Sequence, residues 1–326
     1  MDYTGGVVSF IHNDKNLLKC DVVILDEMSM VDVKLFQALI AALRYSCRII
    51  MVGDADQLPS VGPGNILGEV IRSGLVPTVC LNEIFRQAAR SLIVENAHHI
   101  ISSEPLQKGG RTDDFFFLES DGDAARKLVC DLVTTRLPRS YGFDPIRDIQ
   151  VLCPTKLGPT GTQALNVELQ NLLNPEQKGK PQLQSASRVF RVGDKVMQVR
   201  NNYDKEVFNG DLGYVESVNT EDRTLTVDFD GRSVEYDVTE LDELTLAYAT
   251  TIHKAQGSEY PIVVLPVLMT HYVMLQRNLI YTGITRAMKI CVLIGATKAL
   301  ACAIRNQAVL KRNTKLKERL NPALNT

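Results

Sequence analysis

Two adjacent carboxylates, Asp26 and Glu27, directly follow the apolar run Val22-Val23-Ile24-Leu25. An uninterrupted aliphatic run of this kind reads as a parallel strand buried on both faces. In open α/β sheets ligands bind beyond the carboxyl ends of such strands, which is where this pair falls. The residue types suit phosphoryl transfer. One carboxylate, here Asp26, holds Mg²⁺ directly or through water, while its neighbour orients or deprotonates an attacking water. A second apolar run, Arg48-Ile49-Ile50-Met51-Val52, leads into Gly53-Asp54-Ala55-Asp56-Gln57 and sets the amide of Gln57 near the same edge. A lone Asp-Glu after a strand is more often a turn and a helix start, because short motifs recur by chance. The second strand-loop unit following it shifts the balance toward a site.

The elements that must position these groups are those of an α/β chain. Val33, Phe36, Ile40 and Leu43 recur at helical spacing between the two strands. A helix over 65–73 is closed by Gly74, and a strand is expected at Val76–Leu81. A helix over 88–101, a strand at 114–118 and a helix over 124–137 follow, with a linker and domain boundary at 138–145. The strand Ile149–Cys153 opens a second α/β unit with Thr155-Lys156 in a Gly/Pro-rich loop. From 188 to 242 the texture changes to short alternating runs broken by Asn209-Gly210 and Asp230-Gly231, which are strong hairpin signals. About five such strands suit a small antiparallel barrel of the SH3-like kind. The α/β pattern then returns, with a buried strand at Ile262–Leu265 and a last one at Ile290–Ile294.

The chain has 326 residues, 45% hydrophobic and 23% charged, with a formal net charge of −2. That is enough for two or three domains with a sizeable core, and it confines any nucleic-acid footprint to a local patch. The seven cysteines form no CxxC pair and the five histidines no HExxH, so buried thiols in a reducing, cytoplasmic compartment are expected and a structural metal is not. No apolar run reaches membrane-spanning length and no charged-then-apolar leader opens the chain. No Gly-x-x-x-x-Gly-Lys-Ser/Thr run occurs.

LDEMSMVD followed by GDADQLPSVGPG resembles motifs II and III of superfamily 1 DNA helicases, and the LPSVGPG run is similar to the RecD-type branch, which includes the alpha subunit of exodeoxyribonuclease V. PTKLGPTGTQALNVELQNLLNP resembles the opening of that branch's second motor domain. AYATTIHKAQGSE resembles motif V, and NLIYTGITRA resembles motif VI. The resemblance covers about nine-tenths of the chain. It implies RecA-like P-loop NTPase motor lobes: a first lobe over 1–140, incomplete without its phosphate loop, a second over 141–187 and 243–326, and the barrel of 188–242 inserted into the second. It implies an ATP- and Mg²⁺-dependent 5′–3′ DNA helicase of recombination and repair. Asp26, Glu27, Gln57, Arg86 and Arg286 would serve the nucleotide, with Arg86 reaching the γ-phosphate, Arg286 as the arginine finger and Glu259 near the ribose.

For DNA, the resemblance points to Thr251 and His253, and the chemistry of the loop to Thr155 and Lys156. Tyr203 and Lys205 lie in a polar loop on the barrel's rim, where contact with a single strand and a solvated hairpin tip fit equally well. A plain turn fits 155–156 equally, and the basic tail containing Arg312 reads as a solvated face more readily than as a weak DNA contact. Implied partners are single-stranded DNA and duplex junctions, with subunits of a nuclease-helicase complex a further option and no membrane. The alternative is a single-stranded DNA-binding module without ATP turnover of its own.

Overall fold

The computed structural model describes residues 10–81, 91–110, 112–185, 188–307, 312 and 314–321. The chain divides into two compact units, residues 1–85 with 307–326, and residues 86–306.

In the first unit, strands β1 (Val22–Leu25) and β2 (Arg48–Met51) pair in parallel, Val22 opposite Arg48 and Leu25 opposite Met51. The crossover between them contains α1 (Val33–Ala41), whose start is fixed by Asp32 accepting from the Leu35 N–H at 2.8 Å. Helix α2 (Ile66–Ser73) is capped by Asn65 and ends on Gly74 at φ 69°, a left-handed stop that glycine adopts without strain. Met28, Ile66, Leu67 and Val70 form the unit's core. The helix Leu316–Leu320 packs Leu316 and Leu320 against it.

Two expectations change here. The strands are not buried on both faces: they alternate, with Ile24 66% and Ile50 49% exposed, so among the described residues only one face is covered. Residues 76–81 form no strand: Pro77 lacks the N–H a ladder needs, and among the described residues the apolar alternation finds no neighbouring strand.

The second unit is built on α3 (Leu92–Ser102), β3 (Phe115–Glu119), α4 (Gly122–Asp131), α5 (Leu137–Tyr141), β4 (Ile149–Cys153) and α6 (Thr162–Leu173). A π-helical stretch, Leu132–Arg136, joins α4 to α5 and lets the chain stay helical into Pro138. The expected linker is therefore helix as far as Tyr141, and it ends on Gly142 at φ 73°. Strands β5 (Gln182–Ser185) and β6 (Arg188–Arg191) make a hairpin. Strands β7 (Lys195–Gln198), β8 (Leu212–Asn219), β9 (Thr224–Phe229), β10 (Arg232–Asp237) and β11 (Leu244–Leu246) form an antiparallel sheet in the order β10-β9-β8-β7-β11. Then come β12 (Ala249–Thr251), β13 (Tyr260–Val267), α7 (Arg277–Ile284), β14 (Ala287–Gly295) and α8 (Thr297–Arg305).

The main sheet of the second unit is parallel throughout, in the order β12-β4-β13-β14-β3. Its central strands bury nearly every residue, as runs such as IQVLC and IVVLPV require. Strand β3 was expected in the first lobe. It is instead the edge of this sheet, registering Phe115 opposite Cys291, so the unit boundary lies near residue 86 rather than 140. The tail from 307 likewise belongs with the first unit. Leu244–Leu246 pairs with β7, so the antiparallel sheet extends past residue 242. One hydrophobic cluster runs from Val151 and Ile262 of the parallel sheet to Val196, Val215 and Leu225 of the antiparallel one.

A buried histidine in this unit carries a pH prediction. His271 is 3% exposed; its Nδ1 accepts from the Leu268 N–H at 3.3 Å, so Nε2 carries the proton toward Thr160 Oγ1 at 3.0 Å. Burial pushes its pKa down to about 4 from an ordinary 6.5. A depressed folded value gives stability that is present above 6.5 and lost as pH falls toward 4. We expect unfolding free energy to fall by about 2–3 kcal/mol more between pH 7 and 4.5 in the wild type than in His271→Gln. Urea titrations with equal pH slopes for the two proteins would remove His271 as the cause.

Candidate nucleotide and nucleic-acid sites

The first site is an elbow at the end of β1. Asp26 accepts its neighbour's N–H (Glu27) on Oδ1 at 2.8 Å, and Glu27 takes a left-handed conformation at φ 49°, ψ 41°. A non-glycine residue there costs on the order of 1 kcal/mol and persists only where the surroundings impose it. They do: fully buried Met28 anchors the next turn, and its N–H donates to Val52 O at 2.9 Å. The backbone that carries the two carboxylates is thereby fixed beyond the carboxyl ends of the paired strands. Gly53 must be glycine, because a Cβ would come 2.9 Å from the Met28 nitrogen. Gln57 sits buried on the same edge, its amide donating to Asp54 Oδ2 at 3.4 Å.

The loop after Gln57 is held by a residue the sequence reading set aside. The Arg312 guanidinium donates to Ser60 O at 2.7 Å, Gly62 O at 2.9 Å and Gly64 O at 2.6 Å. It is no solvated charge: three carbonyls of the LPSVGPG run depend on it. Nothing local in the tail's sequence signals this, since the partners lie about 250 residues away.

In the second unit, Asn166 of α6 clamps the strand that leads to the second site. Its Nδ2 donates to Leu246 O and Ala249 O at 3.0 and 2.9 Å, and its Oδ1 accepts the Ala249 N–H at 2.8 Å. Thr251 then caps a 3-10 turn over Ile252–Ala255. His253 is half-buried and burial lowers its pKa, so at neutral pH it is an uncharged donor rather than a cation. Lys254 is depressed by burial and then by Lys156 and Arg188, which places three cations in one neighbourhood. Sequence reasoning found Lys156 but missed Lys254 and Arg188, which only the fold brings near it. Thr155 donates its hydroxyl to Leu157 O at 2.9 Å within an exposed turn, and Lys156 is exposed.

Arg286 is 5% exposed at the start of β14, with Nη1 donating to Ser258 O at 3.2 Å and Nη2 3.5 Å from Thr285 Oγ1. Both of these partners are uncharged, and among the described residues Nε has no hydrogen-bond partner. A buried guanidinium held this way is under-compensated, which suits an incoming anion. Glu259 is exposed two residues beyond Gly257.

The rim residues behave differently. Lys205 donates to Glu240 Oε2 at 2.6 Å and Glu235 O at 2.8 Å, and its ammonium lies 4.6 Å from the Tyr236 ring centroid. It staples the loop to the antiparallel sheet instead of reaching out to a strand of DNA. Tyr203 packs edge-on against Phe208 at 5.8 Å and stays partly exposed. Arg86 lies outside the described residues.

The residues fit the nucleotide and metal that the chemistry implies. Among the described residues no group of three or more histidine, cysteine or acidic side chains could form a closed metal cage. Mg²⁺ does not ask for one, since it takes one or two carboxylates and completes its shell with water and phosphate oxygens. Among the described residues, no helix is long and apolar enough to cross a membrane.

Comparison with known proteins agrees with this arrangement. Residues 165–229 match the family model of the ATP-dependent RecD-like DNA helicase SH3 domain, 246–294 that of the UvrD-like helicase C-terminal domain, and 5–118 that of an AAA domain. The ATP-dependent RecD2 DNA helicase of Deinococcus radiodurans is 38% identical over 315 residues, covering 97% of this chain and 42% of that protein. The RecBCD enzyme subunit RecD of Mycolicibacterium smegmatis is 29% identical over 324 residues, covering 96% of this chain and 56% of that one. The chain thus spans roughly half the length of these relatives. A crystal structure of the Pif1 helicase from Bacteroides in complex with ADP-AlF3 and ssDNA shares the fold, with a TM-score of 0.55 at 18% identity over 94% of this chain and 78% of that one. The α/β architecture is therefore RecA-like with an SH3-like insertion, and the chain belongs to the RecD-type branch of the superfamily 1 helicases.

Proposed function

We propose that this chain supplies the hydrolytic and DNA-gripping parts of an ATP-dependent 5′–3′ DNA helicase that acts in recombination and repair in the cytoplasm. The observation that carries the reading is the Asp26-Glu27 elbow, two carboxylates locked in a strained turn beyond the ends of a parallel strand pair. Asp26 would hold Mg²⁺, which neutralises charge on the phosphates when bound. Glu27 orients and deprotonates the attacking water, and Gln57 links the site to the loop that Arg312 secures. In the second unit Arg286 meets developing phosphoryl charge and Glu259 the ribose; Arg86 is assigned to the γ-phosphate on its motif alone. The likeness to RecD subunits suggests assembly with nuclease-helicase subunits, and duplex junctions as substrates.

A second reading rests on a different observation. Lys254 follows Thr251 and His253 in the chain, Lys156 and Arg188 both act on its charge, and like charges near one another are relieved by an anion. That patch suits a phosphate of single-stranded DNA whether or not the chain turns over ATP. We expect Lys156→Ala to weaken single-strand binding about 3–10-fold and to lower the salt slope by about one, as loss of one phosphate contact does. Thr251→Ala and His253→Ala should weaken it with less effect on the slope, since neither residue is charged. Fluorescence anisotropy at matched salt decides the matter: unchanged affinity in all three variants, with intact circular dichroism, counts against the patch.

A further inference from the structure

Cys47 immediately precedes β2, and Cys20 lies two residues before β1 in the first unit. The Arg48 N–H donates to Asp21 O at 2.9 Å, so the residues preceding Arg48 and Asp21 are brought side by side. Their Sγ atoms are 4.0 Å apart, and both side chains are only partly buried. Neighbouring strands stand about 4.8 Å apart, inside the Cα separation that a disulfide tolerates, so closing the pair asks the sulfurs to approach by about 2 Å. Side-chain rotation can supply much of that movement, and the ladder already holds the backbone in place.

The other cysteines are arranged differently. Cys130, Cys153 and Cys291 are buried in the second unit, their thiols pushed up by burial, and Cys80 is exposed. Cys302 is partly buried. Among the described residues, Cys20 and Cys47 form the one pair of thiols in contact.

We propose that Cys20 and Cys47 form a dithiol site that takes a small disulfide of the glutathione class as its oxidant and closes reversibly to an intramolecular disulfide. One thiolate attacks a sulfur of the glutathione disulfide, forming a mixed disulfide and releasing one glutathione thiolate, which takes up the proton lost by the attacking thiol. The second cysteine then attacks the protein sulfur of that mixed disulfide and displaces the second glutathione thiolate, which is protonated in turn. Two protein thiols are oxidised, one glutathione disulfide is reduced to two thiols, and all atoms are conserved. The mixed disulfide resolves internally because the second sulfur is already within contact distance, which favours the unimolecular step over capture of another glutathione. Partial burial, with Cys20 and Asp21 beside it, pushes the Cys47 thiol up, so the pair is slow to react without a sustained excess of oxidant.

The crosslink closes the amino ends of β1 and β2, while Asp26 and the loop carrying Gln57 lie at their carboxyl ends. It fixes the strand pair without covering the carboxylates. The experiment is incubation of the full chain with glutathione disulfide, alkylation of the remaining thiols, and peptide mapping with and without dithiothreitol. The expected result is a Cys20–Cys47 linked peptide, removed by dithiothreitol and absent from Cys20→Ser and Cys47→Ser. Thermal unfolding of the oxidised chain should rise by about 5–10 °C relative to the reduced chain, with no such rise in either variant. Stable glutathione adducts on Cys20 or Cys47 without a crosslink would overturn the proposal. So would unreacted thiols at both positions while Cys80, which serves as the internal control for oxidant access, is fully modified.

Discussion

Purified as these 326 residues, the chain is expected to show no DNA-stimulated ATP hydrolysis, whereas a longer polypeptide carrying a phosphate loop ahead of it should hydrolyse ATP and lose that activity in Glu27→Gln and in Arg286→Ala. Phosphoryl transfer depends mostly on positioning and on charge stabilisation, and the β- and γ-phosphates must be held by backbone N–H groups and a lysine before other groups can act. No Gly-x-x-x-x-Gly-Lys-Ser/Thr run occurs in the sequence. Glu27 sits in a conformation that a glutamine can share, so the amide substitution should preserve the elbow at φ 49° and remove only the base. A loss of roughly 10²–10⁴-fold is the scale for a general base. Arg286→Ala removes a buried guanidinium whose partners are neutral, so little folded-state pairing is lost with it. The scale for an arginine finger is roughly 10³–10⁵-fold. Steady-state phosphate release, with and without single-stranded DNA, measures both. DNA-stimulated turnover by the 326-residue chain that disappears in Glu27→Gln would show the site to be sufficient as it stands.

Much of the parallel architecture could be read from the sequence, because its strands are short, continuous aliphatic runs. Ile149–Cys153 matches residue for residue, and β13 and β14 contain the runs expected at 262–265 and 290–294. Hairpin chemistry was equally legible: the loop Asp230-Gly231 joins β9 to β10 with Phe229 opposite Arg232. Long-range pairing was not legible. Phe115–Glu119 has the composition of any buried strand, and nothing local tells it to join β14. Pattern also overstated Val76–Leu81, where alternation without a partner strand makes no ladder.

The sites divide in the same way. The adjacent Asp26 and Glu27 announce themselves by sequence, whereas the left-handed φ of Glu27 does not. Lys205 reads as a free charge on a polar loop, yet two carbonyl or carboxylate oxygens and a ring claim its ammonium. Asn166 and Arg312 are invisible to motif reasoning because each works on backbone atoms far away in sequence.

Asp194→Ala is expected to cost about 3–5 kcal/mol of stability, more than any single surface change in the chain. Asp194 is fully buried and accepts four hydrogen bonds: from Gln170 Nε2 at 2.6 Å, Asn174 Nδ2 at 2.7 Å, the Arg191 N–H at 2.7 Å and Tyr248 OH at 2.8 Å. Those donors come from α6 and its C-cap, from the last residue of β6 and from the approach to β12. One carboxylate therefore ties the antiparallel sheet to the helix that also carries Asn166. Alanine leaves four donors without an acceptor in a dry site, and each such loss costs about 1–3 kcal/mol before relaxation. The sum is smaller than four separate losses, because the carboxylate's own burial opposes its charge and raises its pKa despite the four donors. That direction fixes how asparagine behaves. A raised folded value gives stability that is full below the unfolded pKa near 3.8 and is lost as pH rises through the folded one. Asparagine resembles the protonated form and does not titrate, so its deficit relative to wild type should be greatest in acid and narrow as pH rises, remaining well below that of alanine. Chemical denaturation of the three proteins at matched pH tests this ordering. A deficit for Asp194→Asn that widens with rising pH would mean that the carboxylate is stabilised by its donors more than burial opposes it.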